Sequence, residues 1–174
     1  YLASNDVQGD DVYVHAHSVI RKELDQQGEY EGIYALLMAN AVTIRPAQIS
    51  EGISVLRNRP EVDSAVTVSR YNMWSPLRAR SIDHEGLLRP FVPFEVFGDP
   101  ATLSCDRDSQ GDVWFADMGV SVVRSSNLDH LEEGLLPQKW MGQSIYPIKN
   151  EGGLDVDFPF QLPQAEYWLQ NNTD

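Results

Sequence analysis

The sequence has one cysteine, Cys105, contains no run of 18 apolar residues, and carries half as many basic as acidic side chains. Each shortage removes a class of protein. A single thiol excludes an intrachain disulfide framework and any site of several thiolates, and it fits a reducing compartment such as the cytoplasm. Without an apolar run of that length no segment is expected to span a bilayer. Thirteen Lys and Arg against 26 Asp and Glu give a net charge of −13. Such a chain is repelled by phosphate backbones and anionic lipid, so neither nucleic acid nor a membrane surface is an expected partner. Three chemical signatures are also missing: the Gly-x-Ser-x-Gly nucleophile elbow, the Gly-x-x-x-x-Gly-Lys phosphate loop and Gly-x-Gly-x-x-Gly. The opening Tyr1-Leu2-Ala3-Ser4 has neither an initiator Met nor the basic and apolar regions of a signal peptide, and reads as the interior of a longer protein.

What is present is enough for one globular domain: 174 residues, 42% hydrophobic and 22% charged, with aromatics spread along the chain. Val12, Ala16, Val19, Ile20 and Leu24 trace one face of a helix that should end near Gln26-Gln27-Gly28. Ile33 to Met38 is apolar on both faces, which predicts a central parallel strand. Pro46 suits the first turn of a second helix with Ile49, Ile53 and Leu56 facing inward, and Val62 to Val68 reads as another buried strand. Strand, helix, strand in that order is a βαβ unit with a right-handed crossover. The pattern is then interrupted. Arg78 to Ile82 and Leu87 to Val92 read as two strands joined by the hairpin turn Asp83-His84-Glu85-Gly86. After an irregular stretch from Phe94 to Gly111, strands are expected at Val113 to Phe115 and Val120 to Val123, a helix over Asn127 to Glu133, and a strand over Ser144 to Ile148. A last amphipathic helix ends in Tyr167-Trp168-Leu169.

Two segments have metal-ligating composition. Gly152-Gly153-Leu154-Asp155-Val156-Asp157 lies between a strand and a helix, where a turn can bring two carboxylates onto one hard cation. The alternative is an acidic helix start stabilised by the dipole. Asp106 to Asp117 matches the calcium-loop pattern, with oxygen ligands at positions 1, 3 and 5, Gly111 at 6, Val113 at 8 and a carboxylate at 12; a solvated acidic turn competes with it. His15 and His17 are two apart on a helix and cannot chelate together; they and His84 and His130 read as surface or satisfied histidines. Trp140-Met141, near Leu135-Leu136, reads as core packing or a dimer interface.

In this order the pieces resemble the cytidylyltransferases that activate 3-deoxy-ulosonic acids, above all the acylneuraminate (sialic-acid type) family. Asp155-Val156-Asp157-Phe158-Pro159-Phe160-Gln161-Leu162, followed by Ala165-Glu166, is similar to that family's Asp-Ile-Asp-Thr-x-x-Asp-Leu-x-x-Ala-Glu segment. Asp63 to Val68, Ser75-Pro76-Leu77 and Asp83 to Leu88 resemble its strand and protruding hairpin. Leu36 to Thr43 occupies the place of its Leu-Leu-Gln-Pro-Thr-Ser-Pro segment, and Tyr1-Leu2-Ala3 with Asp10-Asp11-Val12 resembles the stretch before its second helix. The family's amino-terminal nucleotide loop has no counterpart, so residues 1–174 resemble an incomplete domain with a β excursion at about 75–112, and this piece alone is not expected to turn over CTP. Met38, Phe158, Gln161 and Met118 depart from the family pattern.

The resemblance implies a three-layer αβα fold of the nucleotide-diphosphosugar-transferase type, Rossmann-like, with the excursion serving homodimerisation. It implies transfer of CMP from CTP to a sialic-acid-like sugar with release of pyrophosphate. Asp155 and Asp157 then hold Mg²⁺ or Mn²⁺, Asn40 contacts sugar or nucleotide, Arg78 is a basic residue that crosses into the partner's site, and Arg107 meets the sugar carboxylate. The alternative reading is a non-catalytic α/β dimerisation module, or a calcium-dependent binding module using Asp106 to Asp117.

Overall fold

A computed structural model describes residues 7–27, 32–108 and 111–172. The expectations resting on Tyr1 to Ala3, on the helix end at Gly28, and on Ser109 and Gln110 in the calcium-loop pattern lie outside the described residues. The chain forms two compact units, one of residues 1–68 and 117–174, the other of residues 69–116. Helix α1 spans Gly9–Gln27, strand β1 Ile33–Leu37, helix α2 Pro46–Asn58 and strand β2 Ser64–Arg70. Then follow β3 (Arg80–Ile82), β4 (Leu88–Pro90), β5 (Trp114–Arg124), β6 (Ile145–Asn150) and helix α3 (Leu162–Asn171). Among the described residues, no helix is long and apolar enough to cross a membrane.

The main sheet has the order β1-β5-β2-β6. β1 pairs antiparallel with β5, Ile33 opposite Arg124 and Leu37 opposite Val120. β2 also runs against β5: the Arg124 N–H donates to the Asp63 carbonyl, and Thr67 Oγ1 both donates to the Val120 carbonyl and accepts from its N–H. β1 and β2 therefore run in the same direction with β5 between them, which keeps the expected β1-α2-β2 unit but changes its centre. The expectation that Ile33 to Met38 is a central parallel strand, apolar on both faces, is corrected: β1 is an edge of this sheet with an antiparallel neighbour, and Leu37 is 52% exposed. An apolar run marks a strand but says nothing of its partner, which here lies some 85 residues away.

Alternation along the strands feeds two apolar clusters. Ala65, Val120, Val122 and Ile148 pack with Leu56, Ile49 and Ile53 of α2, as the spacing on that helix predicts. Val66 and Val123 pack with Trp140, Met141 and Leu128, joined by Tyr13 and Val14 of α1. Trp140 and Met141 are thus core, while Leu135 and Leu136 are exposed. The face expected on α1 is corrected as well. Ala16 is exposed, Val19 and Ile20 are 46% and 39% exposed, and the buried face carries Tyr13, Val14 and His17. Tyr13 meets the edge of Trp140, and buried His17 bonds Tyr34 Oη through Nδ1 at 2.9 Å and Asp129 through Nε2 at 3.2 Å. Polar-aromatic contacts, invisible to an apolar count, choose the face.

Two further expectations change. Val113 to Phe115 and Val120 to Val123 belong to one strand, β5, which turns at Met118, a non-glycine residue at φ 56°. Asn127 to Glu133 is not a helix but two short 3₁₀ turns, Ser125–Leu128 and Leu131–Glu133. The Asn127 side-chain amide donates to the carbonyls of Asp63 and Trp140, so tertiary bonds hold a stretch too short to nucleate an α-helix. In the second unit β3 and β4 form the expected antiparallel hairpin, Arg80 opposite Pro90. Its turn is pinned by Asp83, which accepts the N–H groups of Glu85 and Leu87 and the Arg89 guanidinium.

Candidate functional site

The first unit brings together three residues singled out in the sequence: Asn40, Asp155 and Asp157. After β1 the chain turns through Ala39 and Asn40. After β6 it turns through Gly152 (φ 97°) and Gly153 (φ 31°), left-handed conformations that glycine adopts without a Cβ penalty. The two turns meet in an antiparallel bridge between Ala41 and Asp155, with the Val42 N–H on the Leu154 carbonyl at 3.1 Å and the Val156 N–H on the Asn40 carbonyl at 2.9 Å. Asn40 Nδ2 then donates to Asp157 Oδ1 at 3.0 Å, across 117 positions of sequence. Gln161 Oε1 accepts the N–H groups of Asp157 and Phe158 at 2.9 and 2.7 Å and so fixes the approach to α3. This gives a role to a residue that stands where the resembled family has Asp.

Asp155 is half-buried, and its Oδ1 is buried without a hydrogen-bond partner. Burial, then the nearby carboxylates of Asp157 and Asp117, push its pKa above the ordinary aspartate value. An orphaned carboxylate oxygen among other carboxylates fits a hard cation, which would supply the missing partner and offset the repulsion. Asp117, Asp155 and Asp157 do not bring one oxygen each within 4.8 Å of one another as a set.

The supporting network was not visible in the sequence. Asn150, the buried last residue of β6, donates from Nδ2 to Thr43 Oγ1 at 3.1 Å and to Asp117 Oδ2 at 3.2 Å. Its Oδ1 accepts from Gln48 Nε2 of α2 and from the Glu151 N–H, both at 2.9 Å. Asp117 Oδ1 accepts the Gly119 N–H across the Met118 turn. A strand pattern that ends on the polar pair Lys149-Asn150 is the one local signal for it.

In the second unit, Arg78 and Arg107 line one cavity of about 470 Å³, together with Arg80, Phe94, Ser104 and Asp106. Arg78 Nη2 donates to the Cys105 carbonyl at 2.7 Å. The calcium-loop carboxylates there are engaged otherwise. Asp108 accepts from Asn72 Nδ2 at 2.6 Å, which lowers its pKa, and faces Arg107 at 3.5 Å. Asp112 pairs with Arg70 at 3.2 Å. Asp117, twelfth in that pattern, lies on β5 in the first unit and bonds Asn150. Among the described residues one group of three ligand types does fall within 4.8 Å, His130, Glu132 and Glu133, all exposed; exposed acids cluster in this way without an ion.

Against known proteins, no family model matches the chain, and no curated protein matches by sequence. Among solved structures, the chain is similar to CMP:2-keto-3-deoxy-manno-octonic acid synthetase, solved in complex with CTP. The TM-score is 0.53 with 14% identity, over 97% of this chain and 70% of that one. The fold is shared. At that identity the likeness concerns the fold alone, and the neighbour is named for a different ulosonic acid from the sialic-acid type that the sequence resembles.

Proposed function

We propose that the protein is a cytidylyltransferase of the ulosonic-acid type, a transferase that joins CMP from CTP to a 3-deoxy-ulosonic, sialic-acid-like sugar. The carrying observation is the junction of the β1 and β6 turns, where Asn40 orients Asp157 and the Asp155 Oδ1 is left buried without a partner, on a fold shared with a CTP-bound CMP-sugar synthetase. A sugar hydroxyl oxygen attacks the α-phosphorus of CTP and bonds to it, the bond to the bridging oxygen breaks, pyrophosphate leaves and the hydroxyl proton passes to solvent water. Asp155 and Asp157 would hold Mg²⁺ or Mn²⁺, which when bound offsets the negative charge gathering on the phosphate oxygens. Asn40 holds Asp157 in place through its amide, and Asn150 holds Asp117 beside them. Arg107 receives the acidic group of the acceptor, a guanidinium fork being the natural partner of a carboxylate, and Arg78 is the basic residue that crosses into the partner's site. In this reading the sheet is the centre of a three-layer αβα domain, and the enzyme is cytoplasmic. The test is pyrophosphate release by the protein expressed from its complete gene, with CTP, Mg²⁺ and a panel of eight- and nine-carbon ulosonic acids. Release that needs both CTP and an ulosonic acid is expected, and no release across the panel would overturn the reading.

The same reading makes the protein a homodimer through the excursion at about 75–112. Ile82, Leu88 and Phe91 are 73%, 66% and 68% exposed on a two-stranded hairpin, more apolar surface than such a hairpin leaves in water. Sedimentation at tens of micromolar, on the order of ordinary interface affinities, should show a dimer that Leu88→Glu with Phe91→Glu converts to monomer. A wild-type monomer at that concentration would rule the dimer out.

A further inference from the structure

Asp155 is delivered to the candidate cation site by the turn through Gly152 and Gly153, two residues with no side chain to anchor them. Neighbours must hold that turn. A Cβ at Gly152 would stand 3.5 Å from Thr43 Cγ2 and 3.5 Å from both Cδ1 and Nε1 of Trp168 on α3. A cavity of about 370 Å³ opens beside the turn, lined by Thr43, Gly152, Leu154, Pro163, Tyr167 and Trp168. Packing against the turn is therefore incomplete, and the edge of the indole supplies a large share of it. The indole is held in its turn by Arg45, the residue that opens α2. The Arg45 guanidinium carbon stands 5.2 Å from the centre of the Trp168 ring, Arg45 Nη2 donates to Asn172 Oδ1 at 2.7 Å, and Asn172 Nδ2 donates back to the Trp168 carbonyl at 2.9 Å. Arg45 Nε is buried without a hydrogen-bond partner, a cost that a residue serving only to start a helix would avoid. The Arg45 N–H also donates to Gln48 Oε1 at 2.8 Å, and Gln48 holds Asn150. Asp117, through Asn150 and Gln48, and Asp155, through Gly152 and Trp168, thus both lead back to Arg45.

We propose that Trp168 and Arg45 form a cation–π clamp that fixes the Gly152 turn, which makes both of them positioning residues for the carboxylate of Asp155. A guanidinium over an indole face, shielded from water, favours one placement of the ring. The edge of that ring then limits the turn to the narrow range, about 0.5 Å, within which a metal ligand has to be held. Helix α3 becomes part of the site's support, although none of its side chains is a ligand. The proposal rests on the transfer reading only for the presence of a cation at Asp155; the clamp on the turn stands on the geometry alone.

The test uses the protein expressed from its complete gene, with two readouts. In the metal-free protein, hydrogen exchange of the Val42 and Val156 amides, which bond across the Ala41 and Asp155 bridge, reports on the turn. Trp168→Leu should speed their exchange about tenfold relative to amides of β5, and Trp168→Phe, which keeps a ring under Arg45, about threefold or less. In calorimetric titration with Mg²⁺, Trp168→Leu should bind about tenfold more weakly than wild type, the lower end of what losing a ligand-orienting group costs. Trp168→Phe should stay near wild type. Arg45→Lys, which keeps the charge and loses the planar fork, should fall between the two in both readouts. Val66→Ala, in the apolar cluster away from α3, should lower the thermal midpoint but leave the exchange ratio and the Mg²⁺ affinity unchanged, which separates positioning from general stability. The proposal is overturned if Trp168→Leu leaves either readout at its wild-type value, or if Val66→Ala moves them as far. A wild type that binds no Mg²⁺ sinks the cation reading instead, and the exchange ratio alone then decides the clamp.

Discussion

Asp155→Asn should lower metal-dependent CMP transfer by about a hundredfold or more, yet raise the thermal midpoint of the metal-free protein at neutral pH. The two effects have one origin. The Asp155 carboxylate has a buried oxygen without a partner, and burial, then Asp157, then Asp117 raise its pKa. Between the ordinary aspartate pKa and this raised value the folded state binds more protons than the unfolded one, so stability falls as pH rises through that window. At neutral pH the charged carboxylate is a liability of the metal-free fold, and Asn removes it. With Mg²⁺ at about a hundred times its dissociation constant, binding adds about 2.7 kcal/mol to the wild type. At about 2–4 °C per kcal/mol for a chain of this size, that is a rise of roughly 5–10 °C. Asp155→Asn should show no such rise, and should lose transfer because about 1.4 kcal/mol of charge stabilisation is already tenfold in rate. Melting curves with and without Mg²⁺ between pH 4 and 8, beside pyrophosphate release, check both. A Mg²⁺ shift that survives in Asp155→Asn would remove this carboxylate from the cation site.

The elements legible in the sequence are those whose signal is local. Pro46 with Ile49, Ile53 and Leu56 is found as α2, Asp83 to Gly86 as a hairpin turn, and Val62 to Val68 as buried β2 within two residues at each end. What was missed depends on partners distant in sequence. β5 enters between β1 and β2 from about 50 residues beyond β2, and no periodicity in Ile33 to Leu37 announces it. The buried face of α1 is set by Trp140, Tyr34 and Asp129, so counting Val12, Ala16, Val19, Ile20 and Leu24 selected the wrong side. The site divides in the same way. Asp155 and Asp157 stand two apart and were visible as a pair, and Asn40 was reached through the resemblance. Spacing alone places Asp117 in a calcium-loop pattern, whereas its bond to Asn150, 33 residues later, ties it to the first unit. Arg45 and Trp168 escaped as a pair because a cation resting on a ring leaves no spacing rule in a sequence.

Gly52→Val should destabilise the fold by about 3 kcal/mol, at the upper end of what overpacking a core costs, although Val lies above Gly in helix propensity by a few tenths of a kcal/mol. Gly52 is buried on α2 where the helix crosses β5 and β6. A Cβ there would lie 2.6 Å from Val122 Cγ2, 3.0 Å from Val122 Cβ and 3.2 Å from Ile148 Cδ1. Val122 is β-branched, fully buried and held in a strand, so it cannot swing aside, and the helix must lift instead. α2 is also tethered at its far end, where Arg124 donates to the carbonyls of Leu56 and Arg59, so the displacement falls on its first turns. Those turns carry Gln48, which holds Asn150, which in turn holds Asp117. Mg²⁺ stabilisation should therefore shrink along with the midpoint. Val122→Ala alone should cost about 2 kcal/mol through the cavity it leaves. In the double variant the new side chain fills that space, so the combined cost should fall short of the sum by at least about 1 kcal/mol. Urea melts of the four proteins measure that coupling, and strict additivity would show that Gly52 and Val122 do not meet as described.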